Sequence, residues 1–212
     1  AILLLHGRTW SALPDFDLQV AGEHRSLMDA LAEKGFIVYA LDLRGYGATP
    51  RDASGWNSPV RAADDLATAL AWVSANSGVP GKPVLFGWSN GATVAQLCAQ
   101  RHPERLSDLI LFGYWKDPDS TLTPSADTIK PLRERTTREA AASDFIAPGA
   151  ISRRAIDAYV TAALKADPVR SDWRRIEEYN ALDPVRVKAP VLLITGELDP
   201  LAPANAQARF FS

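Results

Sequence analysis

The chain has 212 residues, of which 47% are hydrophobic and 23% charged, with a formal net charge of -2 at pH 7. That length and balance suffice for one globular domain with a sizeable core and leave room for a small insertion. The near-neutral charge gives no electrostatic basis for binding nucleic acid or an anionic lipid surface, and the longest apolar runs are of strand length, short of the roughly 20 residues that a membrane span requires.

Residues 1–5 are an unbroken apolar run closed by His6-Gly7, the pattern of a strand covered on both faces in a parallel sheet. Residue 1 is Ala and already lies inside that strand, so the expectation is a piece of a longer protein, with a signal peptide ahead of it left open. Residues 8–19 follow as a loop rich in turn formers and aromatics. Residues 23–33 have the spacing of an amphipathic helix, with Leu27, Ala30 and Leu31 on one face and Gly35 just past its end. Residues 36–41 are a second strand, and 42–49 a glycine-punctuated loop. From 59 to 77, Ala62, Leu66, Ala69, Leu70 and Val73 recur at helical spacing until Gly78-Val79-Pro80-Gly81 stops them.

A third apolar run, Pro83-Val84-Leu85-Phe86, stops at Gly87-Trp88-Ser89-Asn90-Gly91, and an alanine-rich helical pattern starts at once and ends before Pro103. The single cysteine, Cys98, lies in that helix and serves best as a small apolar residue; with no partner for a disulfide it fits a reducing compartment, and a cytoplasmic location is expected. Residues 106–112 form another strand, broken at Gly113-Tyr114-Trp115. Residues 116–181 carry no strong strand, several prolines and helical patterns at 129–142 and 152–165, which predicts a helical cap inserted between sheet strands. Residues 190–195 restore the sheet, 196–203 form the turn at its end, and the chain stops in a helical pattern at Arg209-Phe210-Phe211-Ser212. The expected division is a core in two parts, 1–115 and 182–212, around a cap at 116–181. Alternating strands and helices predict an α/β fold with a doubly wound, mostly parallel sheet and right-handed crossovers.

The strand, tight corner and helix around Ser89 carry the strongest chemical signal. A serine on such a corner has strained backbone angles, so the residues two before and two after it must be small, and Gly87 and Gly91 supply that. The corner lifts the hydroxyl clear of the sheet and aims the free N–H groups of the helix at an oxygen bound beside it. This constellation resembles the nucleophile elbow of the α/β-hydrolase superfamily. Three further stretches are similar to that family in the right order: Ile2-Leu3-Leu4-Leu5-His6-Gly7 to its oxyanion-loop strand, Asp42-Leu43-Arg44-Gly45-Tyr46-Gly47 to its Asp-x-Arg-Gly-x-Gly turn, and Gly196-Glu197-Leu198-Asp199-Pro200 to the turn bearing the triad acid. The resemblance implies that the visible strands, numbered from the start of this chain, lie in the order 2-1-3-4-5, which places the ligand crevice between the first and third strand ends, at His6-Gly7 and Ser89.

The resemblance further implies a serine esterase without cofactor or metal, acting on a small-molecule ester. Ser89 would be the nucleophile, Asp199 the acid that orients the base, and the backbone N–H groups of Arg8 and Asn90 the oxyanion donors. Asp117, just past the 106–112 strand, is the alternative acid, with a structural role at the cap hinge as its competitor; Asp42 is expected to brace its own turn. Trp10, Trp88, Tyr114 and Trp115 lie on loops that converge on the crevice and would give an apolar pocket, although one or two of them could instead seal the cap against the sheet. Trp173 and Tyr179 are expected in the core. The family order is Ser, Asp, His, yet no histidine follows Asp199. His102 lies 13 residues beyond Ser89 on one helix, roughly 20 Å away. His6 is expected to brace the oxyanion loop and His24 to be exposed, so the base is expected beyond residue 212. Acyl transfer or perhydrolysis on the same site, or a noncatalytic binding module, are the competing functions.

Overall fold

A computed structural model describes residues 1–124 and 134–211. Strand β1 (Ile2–Leu5) is an inner strand of the sheet, and its four side chains are at most 3% exposed because helices cover both faces. A short helix α1 (Ala12–Phe16) and helix α2 (Leu27–Glu33) lead to β2 (Val38–Leu41), and β3 (Trp56–Asn57) and α3 (Pro59–Asn76) lead to β4 (Val84–Trp88) and α4 (Asn90–Arg101). Strand β5 (Leu109–Phe112), helices α5 (Arg138–Ala142) and α6 (Arg153–Ala166), strands β6 (Asp172–Trp173) and β7 (Val191–Ile194) and helix α7 (Ala204–Ala208) complete the described elements, with short 3-10 turns at Ile176–Ala181, Pro184–Arg186 and Arg209–Phe211.

The five-stranded sheet runs β2-β1-β4-β5-β7 and every pairing is parallel, the order that the resemblance implied. Leu5 is level with Leu41 and Gly87, and Phe112 is level with Trp88 and Ile194. The turns that follow these residues therefore emerge along one edge of the sheet, which brings segments far apart in sequence together.

Packing explains the two helices nearest that edge. In α3, Ser58 caps the first turn by accepting the Arg61 N–H, Pro59 occupies the first position, and Ala62, Leu66, Leu70 and Val73 form a buried stripe. Full burial of leucines such as 66 and 70 stabilises by about 1.5–3 kcal/mol each. Helix α4 is buried from Asn90 to Gln100, wedged between the sheet and α3, which small residues on its surface permit.

Local boundaries differ from expectation in identifiable ways. The predicted 8–19 loop contains α1, too short for a 3.6-residue period to show. Helix α2 starts at Leu27 rather than 23, because Ser26 accepts the Asp29 N–H at 2.9 Å and Val20 and Glu23 form an isolated bridge before it. The strands predicted at 36–41 and 106–112 begin at Val38 and Leu109. The expected 152–165 helix is α6, with Ala155, Tyr159, Val160 and Ala163 buried. Of the expected 129–142 helix, residues 129–133 lie outside the described residues and the described remainder holds α5. The 116–181 segment does contain a strand: β6 pairs with β3 in a two-residue parallel ribbon. Trp173 and Tyr179 are core residues, 7% and 0% exposed, so this segment rejoins the main core before residue 182.

Candidate active site

Ser89 stands between β4 and α4 with φ 55° and ψ -120°, one of two non-glycine residues with positive φ among those described. A backbone held there costs about 1–3 kcal/mol and persists only where the surroundings impose it. They do so here: the Ser89 N–H donates to the Phe112 carbonyl at 2.8 Å, and its own carbonyl accepts the Ala92 N–H at 2.9 Å. A side chain on Gly87 would meet the Gly91 carbonyl oxygen at 2.4 Å, and one on Gly91 would meet the carbonyl oxygens of His6 and Leu5 at 2.4 and 2.6 Å. Both glycines are thus dictated by close approach of backbone to backbone. Ser89 itself is partly exposed.

The turn after β1 lies against Ser89, with the Cβ direction of Gly7 only 3.6 Å from the Ser89 Cβ. His6 fixes this turn. It is fully buried, and its Nε2 accepts the Leu43 N–H at 3.2 Å; a backbone N–H can only donate, so Nε2 carries no proton and Nδ1 must, donating to the Gly7 carbonyl at 2.8 Å. Burial holds the imidazole below its ordinary pKa of 6.5, in keeping with this neutral tautomer. Since the peptide after Gly7 is trans, the Arg8 N–H points opposite to the carbonyl that His6 anchors. With both ring nitrogens engaged, His6 is a brace and has no capacity to take the serine proton.

His102 caps the far end of α4 with Nε2 3.2 Å from Asp64 Oδ1, and His24 is exposed in the loop before α2. Of the chain's three histidines, His6 and His102 are thus engaged elsewhere.

Asp199 lies in the turn beyond β7. Its Oδ1 accepts the N–H groups of Leu201 and Ala202 at 2.9 and 3.1 Å, while Oδ2 is 3.3 Å from the Cβ direction of Gly113. Gly113 has φ 59° and donates its N–H to the Ile194 carbonyl at 2.9 Å. Only β5 separates the strand ends that carry Ser89 and Asp199. The alternative acid, Asp117, is occupied: Arg209 donates to it from Nε at 3.1 Å and from Nη2, and holds its carboxyl below the usual carboxylate range. Asp42 accepts the Ala12 N–H at 2.7 Å and so also caps α1, while its carbonyl accepts from Thr49 within its own turn.

The aromatic lining is smaller than expected. Trp10 is 3% exposed, donates its indole N–H to Asp144 Oδ2 at 2.8 Å and packs with Ala141 of α5 and Tyr159 and Val160 of α6, which takes it out of the expected lining. Tyr114 is 1% exposed and packs edge-on against Phe210 in the main core, which also takes it out of the pocket. Trp88 and Trp115 stay half-buried; the Trp88 ring lies near both Gly7 and Gly113 and so spans the turns after β1 and β5.

Four further residues tie the loops around Ser89 together, through partners too far away in sequence for any motif to pair them. Asp167, 3% exposed, accepts the N–H groups of Ser11 and Gly47 at 2.8 and 2.9 Å and joins two of the loops. Asp15 accepts from the Tyr159 hydroxyl at 3.1 Å and lies 3.4 Å from the Gly7 nitrogen; burial raises its carboxyl well above the ordinary 3.8. Tyr46 donates to the Arg8 carbonyl and Tyr179 to Asn90 Oδ1. Among the described residues no cluster of His, Cys, Asp and Glu could hold a metal ion, and no helix is long and apolar enough to cross a membrane.

The human and mouse proteins called "Serine hydrolase BPHL" are 28% and 27% identical to this chain over 216 and 219 residues, each match taking in 96% of the chain. The chain spans 64% of the length of these curated relatives. Among solved structures, an esterase, RhEst1, from Rhodococcus sp. ECU1013 has a TM-score of 0.63 at 21% identity over 99% of this chain and 76% of its own. A methylesterase, MES16, from Arabidopsis has a TM-score of 0.63 at 17% identity over 99% of this chain and 84% of its own. At such identities the structures establish the fold, that of the α/β-hydrolases, and the family described as "Serine aminopeptidase, S33" matches residues 2–212. The elbow at Ser89, the parallel sheet that carries it and this match over nearly the whole chain establish that the chain belongs to that α/β-hydrolase family.

Proposed function

We propose that the protein is a serine hydrolase that cleaves small carboxylic esters through an acyl-enzyme on Ser89. The observation that carries this reading is the partly exposed Ser89 at φ 55°, held at the N-terminus of α4 with the Gly7 turn against it. In this reading a carbonyl carbon is attacked by the Ser89 oxygen and the negative oxygen so formed is held by the Arg8 and Asn90 N–H groups, each worth about 3–4 kcal/mol of barrier. The base takes the serine proton and passes it to the alcohol as the intermediate collapses and the ester C–O bond breaks; water, giving a proton to the same base, then attacks the acyl ester to release the acid and return that proton to Ser89. Asp199 orients the base, a role that its place beside Gly113 supports, while the Asp117–Arg209 ion pair favours a structural role for Asp117. The base in this reading is a histidine supplied from outside these 212 residues, since His6 and His102 are engaged elsewhere and His24 lies exposed in the loop before α2. The half-buried Trp88, whose ring lies between the turns after β1 and β5, favours an apolar acyl or alcohol group.

A fluorophosphonate probe applied to the full-length protein should label Ser89 alone. Modification of a different serine, or none, would refute the nucleophile. Transfer of the acyl group to an added alcohol or peroxide in preference to water would reassign the reaction to acyl transfer or perhydrolysis. The engaged histidines also suit a noncatalytic binding module, which predicts no labelling and no histidine downstream of the Asp199 turn in the full-length sequence.

A further inference from the structure

Both proposed oxyanion donors belong to residues tied to a tyrosine hydroxyl, and both ties lead to the segment that returns from the cap. Tyr179, wholly buried, donates to Asn90 Oδ1 at 2.9 Å, and Asn90 is itself 4% exposed. The same stretch is fastened to α4 by Gln100, which donates to the Ala181 carbonyl at 3.1 Å and accepts the Asp183 N–H at 3.0 Å. On the other side, Tyr46 is 1% exposed and bonded to both Trp173 and Arg8. The Trp173 indole can only donate, which it does at 2.6 Å, so the single Tyr46 proton is committed to the Arg8 carbonyl. Trp173 belongs to β6, which β3 holds in place.

We propose that Tyr179 and the Tyr46–Trp173 pair are positioning residues that set the two oxyanion donors, so that the return segment 172–183 completes the site from outside the elbow and the His-Gly turn. The inference rests on the ester-hydrolase reading above. Donors aimed at a developing charge contribute only when their geometry is held in advance. Tyr46 and His6 anchor successive carbonyls, those of Arg8 and Gly7, on either side of the Arg8 N–H; Tyr179 holds the side chain of the residue whose N–H is the other donor.

The test uses the full-length protein, p-nitrophenyl butyrate as substrate and phenylboronic acid as a tetrahedral, anionic adduct of the serine. Removing a donor outright costs about 10²–10³-fold in kcat, so loosening one should cost about tenfold. Tyr179→Phe and Tyr46→Phe should each lower kcat about tenfold, raise the phenylboronic acid Ki in parallel and leave KM within about twofold. Asn90→Ala, which keeps the backbone donor and removes the acceptor of Tyr179, should give the loss of Tyr179→Phe, and the double variant should lose no more than either alone. That arm also decides the matter should Tyr179→Phe fail to fold. Wild-type kcat and boronate affinity in Tyr179→Phe and Asn90→Ala, with Ser89→Ala inactive, would overturn the positioning role alone. Retained turnover in Ser89→Ala would overturn the hydrolase reading and this inference with it.

Discussion

Replacing Gly91 by Ala pits two effects of opposite sign against each other. Gly91 lies in the first turn of α4, where the change from glycine should gain about 0.8–1.0 kcal/mol of helix propensity. The added methyl, however, would lie 2.4 Å from the His6 carbonyl oxygen and 2.6 Å from that of Leu5. An ordinary carbon–oxygen approach is about 3.3–3.6 Å, so the methyl is roughly an ångström too close. Nor can either oxygen yield cheaply, since both belong to the backbone in and just beyond β1, whose Leu4 and Leu5 are fully buried. Overpacking of this kind costs about 1–3 kcal/mol, and strand backbone puts this site at the upper end. The net expectation is a loss of about 2 kcal/mol. With a urea dependence of about 1–3 kcal/mol per molar, the unfolding midpoint should fall by about 1 M.

Gly35→Ala supplies the comparison. Nothing lies within 4 Å of its Cβ direction, but φ is +88°, so only the left-handed backbone penalty of about 1–2 kcal/mol applies. The two variants should also differ in a second readout: Gly91→Ala displaces Ser89, two residues away, and lowers labelling by a fluorophosphonate, whereas Gly35→Ala leaves labelling unchanged. A Gly91→Ala midpoint at or above that of the unsubstituted protein would refute the close-approach argument, because propensity alone would then decide the outcome.

Four further outcomes are expected. His6 has its folded pKa lowered, so its stabilisation is present above its ordinary 6.5 and is lost as pH falls through the folded value; His6→Gln should flatten the decline of the urea midpoint below about pH 6.5. Asp15 has its folded pKa raised, so its contribution is present below the ordinary 3.8 and is lost as pH rises through the folded value; Asp15→Asn should gain more midpoint relative to the unsubstituted protein at pH 7 than at pH 4. Cys98 is fully buried and its thiol is pushed up to about 12, so a disulfide reagent at pH 8 should react with it only after urea unfolding, and fast native-state reaction would contradict its packing. Asp199→Ala should lower kcat by about 10⁴-fold while Asp117→Ala stays within a few-fold, and the reverse pattern in ester hydrolysis would exchange the two assignments.

The sheet order, the elbow and the His-Gly turn were legible because each is fixed by a local rule with few solutions. Two glycines around a serine, after a strand and before a helix, admit little besides a tight corner. What escaped the sequence falls into two kinds. Helix α1 and the β3–β6 ribbon are too short to show a period. Trp10 and Tyr114 were placed correctly on loops near the sheet edge, but the direction of a side chain depends on what packs over it: α5 and α6 bury the indole and Phe210 covers the phenol ring, although neither partner is near in sequence. Likewise nothing around Asp117 announces Arg209, which lies 92 residues on and pairs with its carboxylate.

That contrast follows from how strictly each kind of contact constrains residue type. At Gly87 and Gly91 the neighbour is backbone, which is the same whatever the sequence, so only one residue type fits and the constraint is written in the local sequence. The Tyr179–Asn90 and Tyr46–Arg8 ties require only that a donor reach an acceptor, a condition that many pairs of side chains could meet. Such ties become visible only once the topology has set the distances. The proposed site is therefore encoded twice, locally in the corner that bends the chain at Ser89, and non-locally in a returning segment whose Trp173 and Tyr179 bond Tyr46 and Asn90.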